Sequence, residues 1–356
     1  MKPTTVAVIG CGRIAQSEHL PAWAAAREAG LCNLVGVCDL DAPLATHLGA
    51  TYGVPVFADA QEMLDTVKPE VVDISTAVFS HRELCLMAFD ARCHVLLEKP
   101  IAMNASEAEE ILAAAESADR LLSICLQYRT WDEARYVRER IANGDFGQVH
   151  FIRTWGGEVH GFALHRRAAP GRGVLAHWAI HNFDLALWLL GSPKPLTASA
   201  FCHQRLREHP HALGPERDQV ESCDVIPSIE DFAYGMVRVE GSSTISFESN
   251  WLQQPMDRPE GWELLGSKGS ATVCPLSVQL DRDYQWCDDT ASAGKMQPCS
   301  YRMDRLMSEF LEAVRNGGDA PVSAGEIMRL QGLVDALYKS ADTGREVVIA
   351  SSAPRR

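Results

Sequence analysis

Much that would place a protein in a membrane, on nucleic acid or in a disulfide scaffold is missing from this chain. Its 356 residues contain no run of about 18 apolar positions, so no segment is expected to span a bilayer as a helix. The N-terminus, "MKPTTVAVIGCG", passes from one lysine straight into a strand-like segment. Without a long apolar core or a small-residue cleavage pattern it does not read as a secretory signal. No basic run exceeds "HRR" at 165–167, and 33 Lys and Arg against 47 Asp and Glu leave a formal charge of −14. That balance disfavours nucleic acid as a partner. The eleven cysteines form no C-x-x-C pair; they are odd in number and scattered, and Cys38, Cys85, Cys93 and Cys125 sit inside hydrophobic stretches. The pattern suits reduced, packed thiols in a cytoplasm. Internal repeats and low-complexity tails are absent as well.

What is present is an alternation of two periods. Short β-branched runs at 5–10, 34–39, 55–58, 71–76, 94–100 and 121–126 alternate with amphipathic stretches near 14–28, 42–51, 60–66, 80–91 and 106–117. This rhythm predicts a parallel, doubly wound α/β sheet. From residue 126 the rhythm changes: helical patterns at 131–143 and 173–190 surround a strand at 149–155. Strand candidates follow at 196–202, 231–239, 242–250, 260–266 and 269–274, with Gly241 at a hairpin turn. Strands in series with few helices between them predict an α+β domain with a mainly antiparallel sheet. A last helix over 323–342 leads into a short strand, "REVVIA", while 203–230 and 281–300 read as polar loops. The length accommodates two domains, expected at 1–125 and 126–356.

"AVIGCGRIAQSEHL" places Gly10, Gly12 and Ala15 in a G-x-G-x-x-A arrangement directly after a strand and before a helix. The first glycine permits a tight turn, the second lets backbone approach a pyrophosphate, and the small third residue lets helix pack on strand. The phosphates then lie at a helix N-terminus, where unpaired N–H groups and the dipole favour anions. Asp39 closes the second strand; a carboxylate there accepts from ribose hydroxyls and repels a 2′-phosphate, which favours NAD over NADP. Arg13, in the loop itself, touches pyrophosphate or solvent.

Two further stretches carry chemistry. "HVLLEKPIA" sets Glu98, Lys99 and Pro100 at the carboxyl end of a strand, where ligands of open α/β sheets gather, and the proline restrains Lys99 to an extended conformation. A surface lysine at a turn is the plain alternative. "GVLAHWAIHNFDLALWLLG" (173–191), read as a helix, aligns His177, His181, Asp184 and Trp188 on one face of an otherwise apolar segment. Burying such groups costs free energy unless something meets them, so the wedge faces a structural partner or a substrate.

Taken together, the glycine loop, Asp39, the Ser75-Thr76 pair after the fourth strand, "EKP" and the G-x-L-x-x-x-x-x-H-x-x-D-L run into "WLLG" resemble the glucose-fructose oxidoreductase/inositol dehydrogenase (Gfo/Idh/MocA) family. "ANGDFGQV" (142–149) and the closing "EFLEAVRNGGDAPVSAGEIMR" extend the resemblance over nearly the whole chain. It implies an N-terminal Rossmann domain that binds NAD. It also implies a C-terminal domain whose large open sheet assembles homodimers or homotetramers, and oxidation of a sugar or polyol hydroxyl. By the same resemblance, Gly10, Gly12, Arg13, Ile14, Asp39, Ser75, Thr76, Glu98, Lys99 and Gln127 hold the cofactor. Lys99 also lies beside the reacting hydroxyl, and His181 is the base that takes its proton as hydride leaves. Asp184 is structural. Tyr128, His160 and Trp251 are candidate substrate contacts, with Arg129 and Trp155 in neighbouring pocket-lining segments. No resident metal is expected.

The chain departs from the family pattern where His177 replaces a usual aspartate, Ala179 a glycine and Ala77 a proline. Three roles for His177 are open: a hydrogen bond to a different sugar hydroxyl, a metal site with His181 and one of His160 or His165, or a second acid/base. The last would serve an NAD-dependent glycosidase, which oxidises a glycoside transiently, eliminates the aglycone, adds water and reduces again. A non-catalytic NAD-binding regulator is disfavoured because Lys99 and His181 are both kept.

Overall fold

The β-branched runs of the N-terminal part form six strands: β1 (Thr4–Ile9), β2 (Cys32–Cys38), β3 (Val56–Phe57), β4 (Val71–Ile74), β5 (His94–Leu97) and β6 (Leu122–Ile124). They pair in parallel in the order β3-β2-β1-β4-β5-β6. Helices cover both faces of such a sheet, so its strands are buried on both sides and read as unbroken apolar runs; every residue of β4 is buried. The crossovers include α1 (Leu20–Glu28), α2 (Ala42–Tyr52), α3 (Ala60–Val67), α4 (His81–Asp90) and α5 (Ala105–Ala118). Asp41, Asp59 and Asn104 cap α2, α3 and α5 by accepting from the N–H three residues on, which fixes where each helix starts. Strand order reverses between β1 and β4, and ligands of such sheets bind at the carboxyl ends of the strands beside that reversal.

The computed structural model describes residues 2–157, 172–204, 229–251, 260–296, 299 and 302–349. It divides into two units, Met1–Thr130 with Tyr301–Met328, and Trp131–Ser300 with Arg329–Arg356. The return of the chain to the first unit is made by α8 (Met303–Asn316), a helix additional to those expected. Its Met303, Leu306, Met307, Phe310 and Leu311 join Leu20 and Trp23 of α1 in one buried cluster that reaches Val6 and Val8 of β1.

The second unit is built on a nine-stranded sheet. Its strands are β7 (Val149–Gly157), β8 (Pro195–His203), β9 (Phe232–Val239), β10 (Thr244–Asn250), β11 (Gly261–Gly266), β12 (Gly269–Thr272), β13 (Ser277–Arg282), β14 (Gln285–Asp288) and β15 (Val347–Val348). The order is β14-β13-β12-β11-β7-β10-β9-β8-β15, antiparallel except for the β7–β10 pair. Gly241, with φ +83°, turns the β9–β10 hairpin as expected. The 281–300 stretch, expected as loop, instead holds the end of β13 and all of β14. Their connection is Asp283-Tyr284, both at positive φ. A two-residue hairpin needs that conformation, but this pair lacks the glycine that usually announces it.

Among the described residues three helices accompany this sheet: α6 (Asp132–Ala142), α7 (Ile180–Leu189) and α9 (Ala324–Thr343). All ten residues of α7 are buried, which explains an apolar pattern that runs all round the helix. Phe183 of α7 meets Phe247 of β10 edge to face at 4.7 Å. Among the described residues no helix is long and apolar enough to cross a membrane.

Candidate active site

Where β1 ends, Gly10 turns the chain with φ +99°, a conformation that side chains strain to adopt. A Cβ there would lie 2.7 Å from the carbonyl oxygen of Ser75, so the close approach of the loop after β4 also demands glycine. Ser75 Oγ donates to the Gly10 carbonyl at 2.9 Å and ties the two loops together. At the end of β2, the half-buried Asp39 accepts from the N–H of Cys11 at 2.6 Å and of Asp41 at 2.8 Å. These occupy about two of the roughly four acceptor positions of a carboxylate, leaving capacity for hydroxyl donors. Burial, with Asp39 beside it, pushes the Cys11 thiol up to about 12, so it stays protonated in the loop. Gly12 and Ile14 are half-buried and Arg13 is exposed. Gln127 is buried, and its Oε1 has no hydrogen-bond partner among the described residues, an acceptor that a bound group would satisfy. A cradle closed to any Cβ, a carboxylate with spare acceptor positions and an orphaned amide oxygen fit a dinucleotide.

Beside this cradle, β5 delivers the E-K-P turn. Glu98 is buried and Lys99 half-buried; the Glu98 N–H donates to the Ile74 carbonyl at 2.8 Å, continuing the sheet by one residue. Glu98 Oε2 accepts from the N–H of Lys99 at 3.0 Å, and the Lys99–Pro100 bond is cis. His81, fully buried at the start of α4, lies with Nδ1 2.9 Å from the Pro100 carbonyl and Nε2 3.2 Å from that of Thr76. It packs between the loop after β4 and the loop after β5; burial holds its ring below the usual histidine range, and such a neutral ring donates to one of the two carbonyls at a time. Glycine loop, Ser75-Thr76 and Lys99 are thereby assembled on adjacent strand ends.

In the second unit, the segment expected as one helix begins as a π turn, Leu175–Ala179, and continues as α7. Glu230 pins its start: Oε2 accepts from the Gly173 N–H at 2.8 Å, Oε1 from Leu175 at 3.0 Å, and its main-chain carbonyl from Val174 at 2.9 Å. Tyr338 of α9 donates its hydroxyl to Oε1 at 2.6 Å. A Cβ on Gly173 would lie 1.9 Å from the Glu230 carbonyl oxygen, so glycine is required for the approach. Burial pushes the Glu230 carboxyl up to about 7 despite these donors, which pull the other way.

The π turn sets the four wedge residues in different surroundings. His177 is half-buried in the turn, its ring centroid 6.3 Å from that of Trp251. His181 and Asp184 are buried in α7, and Trp188 lies under the Arg138 guanidinium at 4.0 Å. Turns of this kind concentrate at functional sites.

The remaining expected residues are spread more widely. Gln127, Tyr128 and Arg129 form a buried 3₁₀ turn, Gln127–Thr130, in the first unit, where Arg129 pairs with Glu326 at 2.9 Å. Trp251 is buried. Trp155, half-buried on β7, lines a depression of about 550 Å³ on the sheet with Arg153, Phe201, Tyr234, Met236 and Glu248. His160 and His165 lie outside the described residues. Sequence reasoning passed over His19, Asp73, His81 and Glu230. Only Asp73 carried a local signal, a lone carboxylate inside the apolar run "VVDIST", which must find a buried partner.

A dinucleotide cradle at the switch point of a parallel sheet, with a lysine on the neighbouring strand end, defines a dinucleotide-binding protein. Residues 4–125 match the oxidoreductase family described by its NAD-binding Rossmann fold, and residues 134–272 match the GFO/IDH/MocA C-terminal domain. The chain belongs to the Gfo/Idh/MocA family and is an NAD-dependent oxidoreductase. It is 27% identical to the D-glucoside 3-dehydrogenase of Escherichia coli (strain K12), over 97% of each chain. It is 26% identical to the D-apiose dehydrogenase of Rhizobium rhizogenes, again over 97% of each. Among solved structures, an oxidoreductase from Agrobacterium radiobacter in complex with NAD+, L-tartaric acid and magnesium has the same fold. The TM-score is 0.81 at 20% identity, covering 97% of this chain and 98% of that one.

Proposed function

We propose that the protein oxidises a secondary hydroxyl of a sugar, cyclitol or glycoside, with Lys99 and His181 as its catalytic groups. The observation that carries the proposal is the placement of Lys99: its main chain is held by Glu98 on the strand end next to the loop that meets Gly10. The relatives that act on a glucoside and on apiose support a carbohydrate substrate. Gly10, Gly12, Arg13 and Ile14 would hold the pyrophosphate, Asp39 the adenosine ribose, and Ser75, Thr76, Glu98, Lys99 and Gln127 the nicotinamide half. NAD, when bound, supplies the hydride acceptor.

The chain's own residues supply the rest. A carbinol carbon gives up hydride readily only as its oxygen becomes alkoxide-like, so a positioned base contributes about 10²–10⁴-fold. His181 takes that role, and the Lys99 ammonium steadies the charge developing on the oxygen. Tyr128, His160 and Trp251 are the proposed substrate contacts. The protein acts as a homo-oligomer through its open sheet, where Phe201, Tyr234 and Met236 are exposed, an apolar surface of the kind that marks an interface.

A panel of sugars, cyclitols and aryl glycosides tests the reading, with NADH absorbance and released aglycone followed together. Net NADH with no aglycone is expected. Aglycone without net NADH would overturn it in favour of the redox glycosidase.

A further inference from the structure

Beneath the loops that carry the glycine motif and Lys99 lies a group of buried charges, of which only Glu98 has a part in the roles above. His19 ends the π turn Ala15–His19 ahead of α1 and is fully buried. Its Nδ1 lies 2.8 and 3.0 Å from the two carboxylate oxygens of Asp73 on β4, and its Nε2 lies 3.0 Å from Glu98 Oε1. Ionised carboxylates only accept, so a ring facing one on each side donates from both nitrogens, as an imidazolium does. Asp73 also accepts from Trp23 Nε1 at 2.6 Å. Glu98 uses its second oxygen for the N–H of Lys99 at 3.0 Å. A continuous path of hydrogen bonds therefore runs from Trp23 through Asp73, His19 and Glu98 to the main chain of Lys99.

Two alternatives compete with an imidazolium bridge. His19 Nε2, a Glu98 oxygen and Cys125 Sγ lie within 4.8 Å of one another, as metal ligands would. The 3.0 Å between Nε2 and Oε1 suits a direct hydrogen bond, and a metal ion would leave Nε2 without the proton that the test below looks for. The second alternative is inert core packing. Against it stands the second bond of Glu98: the carboxylate that meets the ring also holds the N–H of Lys99, so the contact reaches the site.

We propose that His19 is a positioning residue: its buried imidazolium locks the Glu98 side chain, which fixes the Lys99 main chain and so the aim of its ammonium. This rests on the reading of Lys99 as a group that acts on the substrate oxygen. Without the cation, Asp73 and Glu98 repel one another and Glu98 shifts or takes up a proton, loosening its bond to Lys99. Misplacement of a catalytic group by about 1 Å lowers turnover by about 10²-fold. The titratable groups around the ring are Asp73, Glu98, Cys125, Lys99 and Glu18, with His81 beyond Glu98.

The test compares full-length His19→Gln, Lys99→Ala and Trp23→Phe in steady-state kinetics, with NAD titration and thermal unfolding, and records the histidine ring ¹⁵N spectrum of the unmutated protein at about pH 8. His19→Gln is expected to lower kcat by at least about tenfold while KM for NAD stays within about threefold. Trp23→Phe lowers Tm but leaves kcat within about twofold, and both ring nitrogens of His19 carry protons. A His19→Gln enzyme with near-normal kcat overturns the proposal, as does a loss confined to NAD affinity. A neutral His19 ring overturns it as well, and decides the matter if the variant does not fold. If Lys99→Ala keeps its turnover, the reading of Lys99 fails; if only His19→Gln does, this inference alone fails.

Discussion

Raising the pH should weaken the second unit through Glu230, and an amide at that position should abolish the effect. The carboxyl is buried and is pushed up to about 7 from an ordinary 4.5. Among the described residues no cation pairs with it directly: its partners are two main-chain N–H groups and the Tyr338 hydroxyl. Arg172 lies over the Tyr338 ring at 4.5 Å and pairs with Asp335. The folded chain thus takes up a proton near pH 7 that the unfolded chain takes up only near 4.5. Stability linked to this proton is complete below the lower value and is lost as pH rises through the upper one. At about 1.4 kcal/mol per pH unit, the total is about 3 kcal/mol. Glu230→Gln cannot titrate, so its stability relative to the unmutated chain should improve by about that amount between about pH 5 and pH 8. Urea unfolding of both proteins at several pH values, read by tryptophan fluorescence at constant ionic strength, measures the difference. A difference that is flat with pH, or that moves the other way, would refute the reasoning and return Glu230 to the ordinary carboxylate range.

Three further outcomes are expected. Because Asp39 keeps acceptor positions for ribose hydroxyls and repels a 2′-phosphate, NAD should bind at least tenfold more tightly than NADP, about 1.4 kcal/mol; equal affinities in a titration would remove Asp39 from that role. Lys99→Ala should reduce kcat far more than NAD affinity, since the ammonium acts where charge develops, and near-normal turnover would make Lys99 a plain surface lysine. A carboxylate at position 177 stabilises a positive charge on a neighbouring imidazole, so His177→Asp should move the acid limb of kcat/KM upward by about half a pH unit to one. A limb that stays in place would uncouple His177 from the base and leave it to substrate recognition.

The particular elements show how far sequence carries the argument. The glycine loop was legible because part of its demand is local, the positive φ at Gly10 and the helix start five residues on, although the approach of Ser75 that also requires glycine was not. The 281–300 stretch was misread because its hairpin uses Asp283-Tyr284, whose left-handed conformation is imposed by the pairing of β13 with β14 rather than announced by the residues. The helix with the histidines was legible as a helix, but its π turn was not. The widened turn coincides with capture of the Gly173 and Leu175 N–H groups by Glu230, a residue 57 and 55 positions away.

By itself the sequence determined the parallel doubly wound sheet, the mainly antiparallel second sheet, the dinucleotide loop and the lysine at a strand end. Each follows from hydrophobic period or from backbone restrictions within a few residues. Only the tertiary structure decided that α8 returns to the first unit, that His81 packs between two loops, and that His19 meets Asp73 and Glu98. Those partners are 54 and 79 residues away from it. Period records which face of an element is buried, not which element it meets. The pairing of buried charges depends on which strand ends the fold sets side by side, and that is a property of the assembled sheet.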